Sequence, residues 1–188
     1  MNAVQTINEK IACAVDILND GGVIAYPTEH CFGLGCDPQN ELAVEHLLKI
    51  KQRQAEQGVI LIASTTEQVE RYVDLDSAQY KQDILTSWPG PNTWIVPALA
   101  EASTWIKGRH SGVAVRVTAN SIAKQLCDAY GGAIVSTSAN RHGEPSLMNA
   151  KSVKDVMGSE LSYVLDEPVG GAEFPSTIRD GMTGQKLR

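Results

Sequence analysis

The sequence predicts an α/β protein built on one mixed sheet. Through the first half, segments of helical periodicity alternate with short apolar runs bounded by glycine and proline, the order expected when helices cover a sheet. Near the end, Asp180-Gly181 and Thr183-Gly184 are hairpin signals, which make the sheet mixed and not purely parallel. The length of 188 residues suits one domain, expected over residues 1–188 and able to bury roughly 70% of its unfolded surface without a disulfide or metal staple.

The elements follow in order. Thr6-Ile7-Asn8-Glu9 has the form of a capping box, and Ile7, Ile11, Ala14, Val15 and Leu18 then recur at helical spacing until Gly21-Gly22. Val23–Tyr26 reads as a buried strand ended by Pro27. Residues 27–40 have no helical period and carry two glycines and two prolines. A helix over about 40–52 buries Ala43, Val44, Leu47, Leu48 and Ile50, and Val59–Ala63 is a strand. Thr65–Tyr72 reads as a helix with a second capping box from Thr65 and Gln68, and Ser77–Trp88 as another, ended by Pro89-Gly90-Pro91. Thr93–Leu99 and Gly112–Val117 are strands, Ser121–Tyr130 a helix stopped by Gly131-Gly132, and Ala133–Thr137 a strand running into Ser138-Ala139-Asn140. Ala150–Met157 is helical. Tyr163–Leu165 and Ser176–Ile178 are strands before the final hairpin.

Composition narrows the function. With 43% apolar and 20% charged residues the chain is neither disordered nor a coiled coil. A net charge of −6 weighs against broad affinity for nucleic acid, although a local basic cleft is compatible with it. No apolar run approaches the ~18–20 residues of a membrane span, and the first residues lack a secretory pattern, so a cytoplasmic protein without membrane contact is expected. Cys13, Cys31, Cys36 and Cys127 contain no C-x-x-C pair and read as reduced thiols. Cys31-x4-Cys36 beside His30 matches no common zinc spacing, so no protein-held metal is expected.

Walker, dinucleotide-binding, nucleophile-elbow and H-E-x-x-H motifs are absent. Gly33-Leu34-Gly35 leads into Cys36-Asp37-Pro38 instead of a third glycine. Polar clusters instead stand where strands or helices end: Pro27-Thr28-Glu29, Lys49 to Arg53, Pro89 to Thr93, and Ser136 to Asn140. In α/β sheets ligands gather at such ends. Each cluster also has a structural reading. Lys49 can pair with Glu45, Lys51 and Arg53 can complement a helix dipole, and Ser, Thr and Asn can cap a helix.

Taken together and in order, the clusters resemble the YrdC/TsaC-like family, most nearly its short bacterial form. The resemblance rests on Tyr26-Pro27-Thr28-Glu29 with Phe32-Gly33-Leu34-Gly35, Lys51-Gln52-Arg53, Trp88-Pro89-Gly90-Pro91 with Thr93, Val115-Arg116-Val117, Ser138-Ala139-Asn140 and Pro175-Ser176-Thr177-Ile178. It implies an open, twisted sheet with a large concave cleft. The implied reaction joins L-threonine, bicarbonate or CO2, and ATP into L-threonylcarbamoyladenylate and pyrophosphate. The product then serves N6-threonylcarbamoyladenosine formation at position 37 of tRNAs reading ANN codons, through downstream tRNA-modification proteins.

On that resemblance Lys51, Arg53, Ser138 and Asn140 are the catalytic candidates. The cations neutralise converging anions, and the hydroxyl and amide bond phosphate or carboxylate oxygens. Thr28, Thr93, Arg116, Ser136, Ser176 and Arg179 are expected to line the substrate and ATP pocket, with Arg188 as a second candidate for a phosphate. Arg116 alternates with valines and should face the cleft. Mg2+ is expected to arrive on the phosphates. Gln54, Gln57 and Arg141-His142-Gly143 depart from the family pattern, and Arg141 or His142 is expected to supply the charge Gln57 lacks. The short form implies a monomer. The rival reading is a module binding double-stranded RNA or tRNA through Lys107-Gly108-Arg109-His110 and Arg141-His142, with possible direct RNA contact.

Overall fold

The computed structural model describes residues 5–141 and 143–188. Eight strands form one sheet: β1 (Ile24–Pro27), β2 (Phe32–Gly35), β3 (Ile60–Ala63), β4 (Asn92–Pro97), β5 (Gly112–Val117), β6 (Ile134–Ser138), β7 (Tyr163–Val164) and β8 (Thr177–Asp180). They lie in the order β7-β1-β2-β6-β3-β5-β4-β8. The pairs β1–β7, β3–β5 and β4–β8 are parallel, and the other four are antiparallel, so the sheet is mixed as expected. Flanking it are α1 (Ile7–Asn19), α2 (Glu41–Lys51), α3 (Thr66–Val69), α4 (Lys81–Thr86), α5 (Thr104–Lys107), α6 (Ser121–Tyr130) and α7 (Ala150–Met157).

Local chemistry explains where expectation and structure agree. Thr6 and Glu9 form both bonds of the capping box, and Asn120 Oδ1 accepts from the Ile122 and Ala123 amides to start α6. Gly131, at φ 80°, ends α6 in the left-handed conformation that suits glycine.

Two expectations fail and two elements escape the sequence reading, each for an identifiable reason. Strand β2 lies within residues 27–40; its two glycines hide the strand signal, which pairing with β1 and β6 overrides. The helix expected over Ser77–Trp88 shrinks to Lys81–Thr86, since the Asp74 carboxylate accepts from the Asp76 and Ser77 amides and holds a turn there. The second capping box does not form: Gln68 Oε1 accepts from the Ser64 amide, one residue upstream of Thr65. Helix α5 is a single turn too short to show a period.

Adjacent residues of a strand face opposite sides of the sheet, and here the two sides are covered unequally. Ala25, Leu34, Leu61, Val115, Trp94 and Val135 join the larger core with residues of α2, α3 and α7. On the other side Ile24, Tyr26, Ile62 and Ile134 pack under α1 and α6 through Ile11, Ala14, Leu18, Ala123 and Leu126. Those two helices cover one end of that side only. At the other end Ser136, Ile60, Ala114 and Ile95 stand in register across β6, β3, β5 and β4 and floor an open cleft. The segment 165–176 connects β7 to β8, the two opposite edges of the sheet. Seven interstrand gaps amount to roughly 34 Å and thirteen peptide steps reach at most roughly 45 Å, so this strap has little slack.

The Gly-x-Gly of β2 is explained by the Tyr26 ring. A Cβ at Gly33 would lie 3.3 Å from Tyr26 Cζ, and one at Gly35 would lie 2.9 Å from both Tyr26 Cε1 and the Val135 carbonyl oxygen. The glycines let Tyr26 lie flat and donate its hydroxyl to Ser136 Oγ at 2.7 Å, at the edge of the cleft. Gly35→Ala is expected to destabilise the protein by about 1–3 kcal/mol, because backbone lies on one side of the added methyl. Urea unfolding measures this, and an unchanged midpoint would contradict the packing described.

Candidate active site

The cleft encloses about 510 Å³, within the ~300–1,000 Å³ usual for small-molecule sites. Lys51, Arg53, Arg116 and Arg188 line it, with Glu29 as the carboxylate side chain among the lining residues. A chain of net charge −6 thus concentrates positive charge on one concave surface.

Lys51 and Arg53 reach the cleft because α2 ends between them. Gln52 adopts φ 53°, ψ 43°, a left-handed conformation uncommon outside glycine, and the Arg53 amide returns to the Leu48 carbonyl at 3.0 Å. Lys51 is 6% exposed. Its Nζ donates to Ser138 O at 2.6 Å, Asn140 O at 2.8 Å and Asn140 Oδ1 at 2.7 Å. Ser138 Oγ also donates to Asn140 Oδ1, and Asn140 Nδ2 donates to the Arg141 and Glu144 carbonyls. The four candidates therefore fall together, three of them in one knot. Burial first, then the Arg53 charge, pushes the Lys51 ammonium down from 10.5 to about 8. Arg53 is aimed by Gln57, whose Oε1 accepts from Nε at 2.9 Å.

The other walls come from the β1–β2 turn and from β4, β5 and β8. Thr28 Oγ1 donates to the Cys31 carbonyl and closes the turn. Arg116 Nη1 lies 3.0 Å from Glu29 Oε2, while Glu29 Oε1 accepts from the Thr118 hydroxyl and the Ala119 amide. Burial opposes the Glu29 anion, but Arg116 and these donors outweigh it and hold the carboxyl below its usual range. Thr93 and Ser176 share a hydroxyl contact at 3.0 Å, and Arg188 donates to the Ser176 carbonyl. Burial pushes the Cys31 thiol up, so it stays protonated.

Thr28, Thr93, Arg116, Ser136 and Ser176 thus all line the cleft, and Arg179 does not. Arg179 stands in register with Trp94, one residue out of phase with cleft-facing Ile178, and its guanidinium lies 6.0 Å from the Trp94 ring. Arg141 does not replace a charge at Gln57: it pairs with Glu160 and donates to the Ile50 carbonyl at 2.8 Å. The RNA-binding reading loses Arg141 from its patch for the same reason, and His142 lies outside the described residues. Sequence reasoning missed Glu29, His30, Gln57 and Ser146 as cleft residues. Glu29 stood within a quoted motif, whereas the other three carry no periodic signal.

The Sua5/YciO/YrdC family model, described as telomere recombination, matches residues 16–188. A Coxiella burnetii (strain RSA 493) protein named threonylcarbamoyl-AMP synthase is 45% identical over 184 residues, covering 98% of this chain and 97% of the relative. A protein of the same name from Xanthomonas euvesicatoria pv. vesicatoria is 46% identical over 177 residues, covering 93% and 95%. The crystal structure of P. abyssi Sua5 complexed with L-threonine superposes with a TM-score of 0.85 at 28% identity, over 94% of this chain and 52% of that one, so this chain spans about half of that protein. E. coli YciO, at 23% identity and TM-score 0.82 over 98% and 89%, shares the fold.

The Lys51 shift gives anion binding a definite pH dependence. The ammonium is present below about pH 8 and lost above it. Affinity for inorganic triphosphate should therefore weaken above about pH 8, by up to ~10-fold per pH unit. Lys51→Met should lower affinity by ~10–100-fold and abolish that dependence. Calorimetric titration between pH 7 and 9.5 measures both, and an equal pH slope in the variant would contradict the assignment.

Proposed function

The chain belongs to the Sua5/YciO/YrdC family, and from that premise we propose that it acts as a threonylcarbamoyl-AMP synthase. It joins L-threonine, bicarbonate or CO2, and ATP into L-threonylcarbamoyladenylate and pyrophosphate. The observation that carries this reading is the gathering of Lys51, Arg53, Arg116 and Arg188 in one cleft of an acidic protein.

The chemistry needs that charge. The threonine amine first gains a carboxylate on nitrogen, and that carboxylate must attack the α-phosphorus of ATP. Two unit anions ~4 Å apart repel by about 4 kcal/mol at an effective dielectric near 20, so cations must stand between them. Lys51 and Arg53 take that place: Lys51 as a point charge pinned by Ser138 and Asn140, Arg53 as a planar fork aimed by Gln57. Ser138 Oγ can turn from Asn140 to a phosphate oxygen while Lys51 keeps the turn in place. Arg116, Thr28 and Ser136 line one part of the cleft, and Thr93, Ser176 and Arg188 another. We assign these residues to substrate and nucleotide. Catalysis is then chiefly positioning and charge neutralisation.

Among the described residues no three His, Cys, Asp or Glu side chains converge on a metal position. Glu29 Oε1 accepts from the Thr118 hydroxyl, and Oε2 lies 3.0 Å from Arg116 Nη1 with no hydrogen bond of its own. The cleft therefore fits a Mg2+ that enters on the triphosphate, where it supplies charge neutralisation. The adenylate is a mixed anhydride and must be handed on, and the proposed acceptor route is adenosine 37 of ANN-reading tRNAs through downstream tRNA-modification proteins. Within this reading the protein works as a cytoplasmic monomer. No helix among the described residues is long and apolar enough to cross a membrane.

Pyrophosphate release from ATP, with threonine and bicarbonate each omitted in turn, tests the proposal. Release should require both, and Arg53→Ala should lower kcat/KM by ~10–100-fold. Release independent of threonine would mean ATP hydrolysis, and no release by the folded protein would remove the synthase reading.

A further inference from the structure

Forming the N-carboxylate from CO2 liberates a proton, and the groups already assigned do not accept it. The nitrogen lone pair of the neutral amine bonds to the carbon of CO2, giving an adduct with a positive nitrogen, which becomes the carbamate only by losing an N–H proton. Lys51 serves the reaction as a cation: below about pH 8 it keeps all three protons, directed at three oxygens, and the arginines remain cations. Both Glu29 oxygens face donors or Arg116, which hold it as an anion of low basicity. The Cys31 thiol stays protonated.

One titratable cleft residue is left, His30. Its Nδ1 lies 2.8 Å from the Ala172 carbonyl oxygen. A carbonyl can only accept, so Nδ1 carries a proton, and this fixes the tautomer of the uncharged ring as the one with its lone pair on Nε2. A base so oriented by a hydrogen bond on its other nitrogen is the arrangement general-base catalysis uses. The strap does not depend on this bond for its place. Gly170 donates to the Thr28 carbonyl at 2.9 Å and Ala172 donates to the Glu29 carbonyl at 2.8 Å, tying the same residues to the turn through backbone alone. The imidazole is held by the strap more than it holds it.

We propose that His30 is a catalytic residue of the carboxylation step, its Nε2 taking the N–H proton of the amine–CO2 adduct to leave carbamate and imidazolium. The inference rests on the synthase reading. The imidazolium returns its proton to water after the carbamate has been adenylated, so no other co-reactant is needed.

The test compares His30→Ala with His30→Asn. The Asn amide can replace Nδ1 as donor to Ala172 but cannot act as a base. Threonylcarbamoyladenylate formation is followed at saturating ATP and threonine, beside the wild-type protein. Both variants should lose ~100-fold in kcat with the KM for ATP unchanged, and added imidazole should restore rate to His30→Ala. Wild-type rate in His30→Asn with loss in His30→Ala would make the residue a latch for the strap and overturn the proposal. Wild-type rates in both would overturn it as well, as would loss without imidazole rescue. Absence of product from the wild-type protein would instead overturn the synthase reading, and this inference with it.

Discussion

The site depends on one mismatch: a sheet with two faces and helices enough to cover one and a half. Every strand presents alternate residues to the two sides, so the identity of each residue follows from what covers it. On β6, Ile134 lies under the α1–α6 pair, Val135 lies in the larger core, and Ser136 and Ser138 open into the cleft. On β5 the three valines go to the core while Ala114 and Arg116 go to the cleft. Where α1 and α6 stop, Ser136, Ser138, Thr93 and Arg116 join the aliphatic residues of that face. The cleft is thus the uncovered part of a core surface, and its aliphatic floor of Ile60, Ala114 and Ile95 is continuous with that core.

A buried ammonium then joins what the sheet leaves apart. Lys51 ends a helix that packs against the opposite face, yet its side chain reaches the Ser138–Asn140 turn at the end of β6. A lysine held among three oxygens is tolerable only because every N–H finds an acceptor; removal of the partners would leave a desolvated charge. The same contacts that fix the ammonium therefore fix the turn that carries Ser138 and Asn140. The left-handed Gln52 makes this possible by reversing the chain at once, so that Arg53 follows Lys51 into the cleft and does not continue the helix away from it.

Much of this was legible in the sequence, and the limits have physical causes. Helices with both caps and a long period, α1 and α6 above all, were visible from end to end. Arg116 was visible as a cleft residue because alternation with valines places it. The same rule, applied to β8, would have excluded Arg179, since Ile178 is the cleft-facing residue and its neighbour must face Trp94. Strand β2 was hidden because the residues that let the Tyr26 ring lie flat are glycines, poor strand formers in isolation. Gln57 read as a missing charge and proved to be the group that aims one, which only the geometry of Arg53 discloses.

The β1–β2 turn marks where periodicity stops being informative. A strand of four residues can offer two to a site, whereas Thr28, Glu29, His30 and Cys31 all line the cleft in succession. A turn escapes alternation because its backbone changes direction at each residue. Thr28 closes it from within, and Glu29 anchors it to the start of the α6 segment through Thr118 and Ala119. The strap locks it from outside through Gly170 and Ala172. A loop so fastened on three sides holds its side chains as firmly as a strand does and at twice the density. Chemistry that needs a cation partner, a fixed imidazole and a hydroxyl within a few residues is therefore better placed on this turn than on any strand of the sheet.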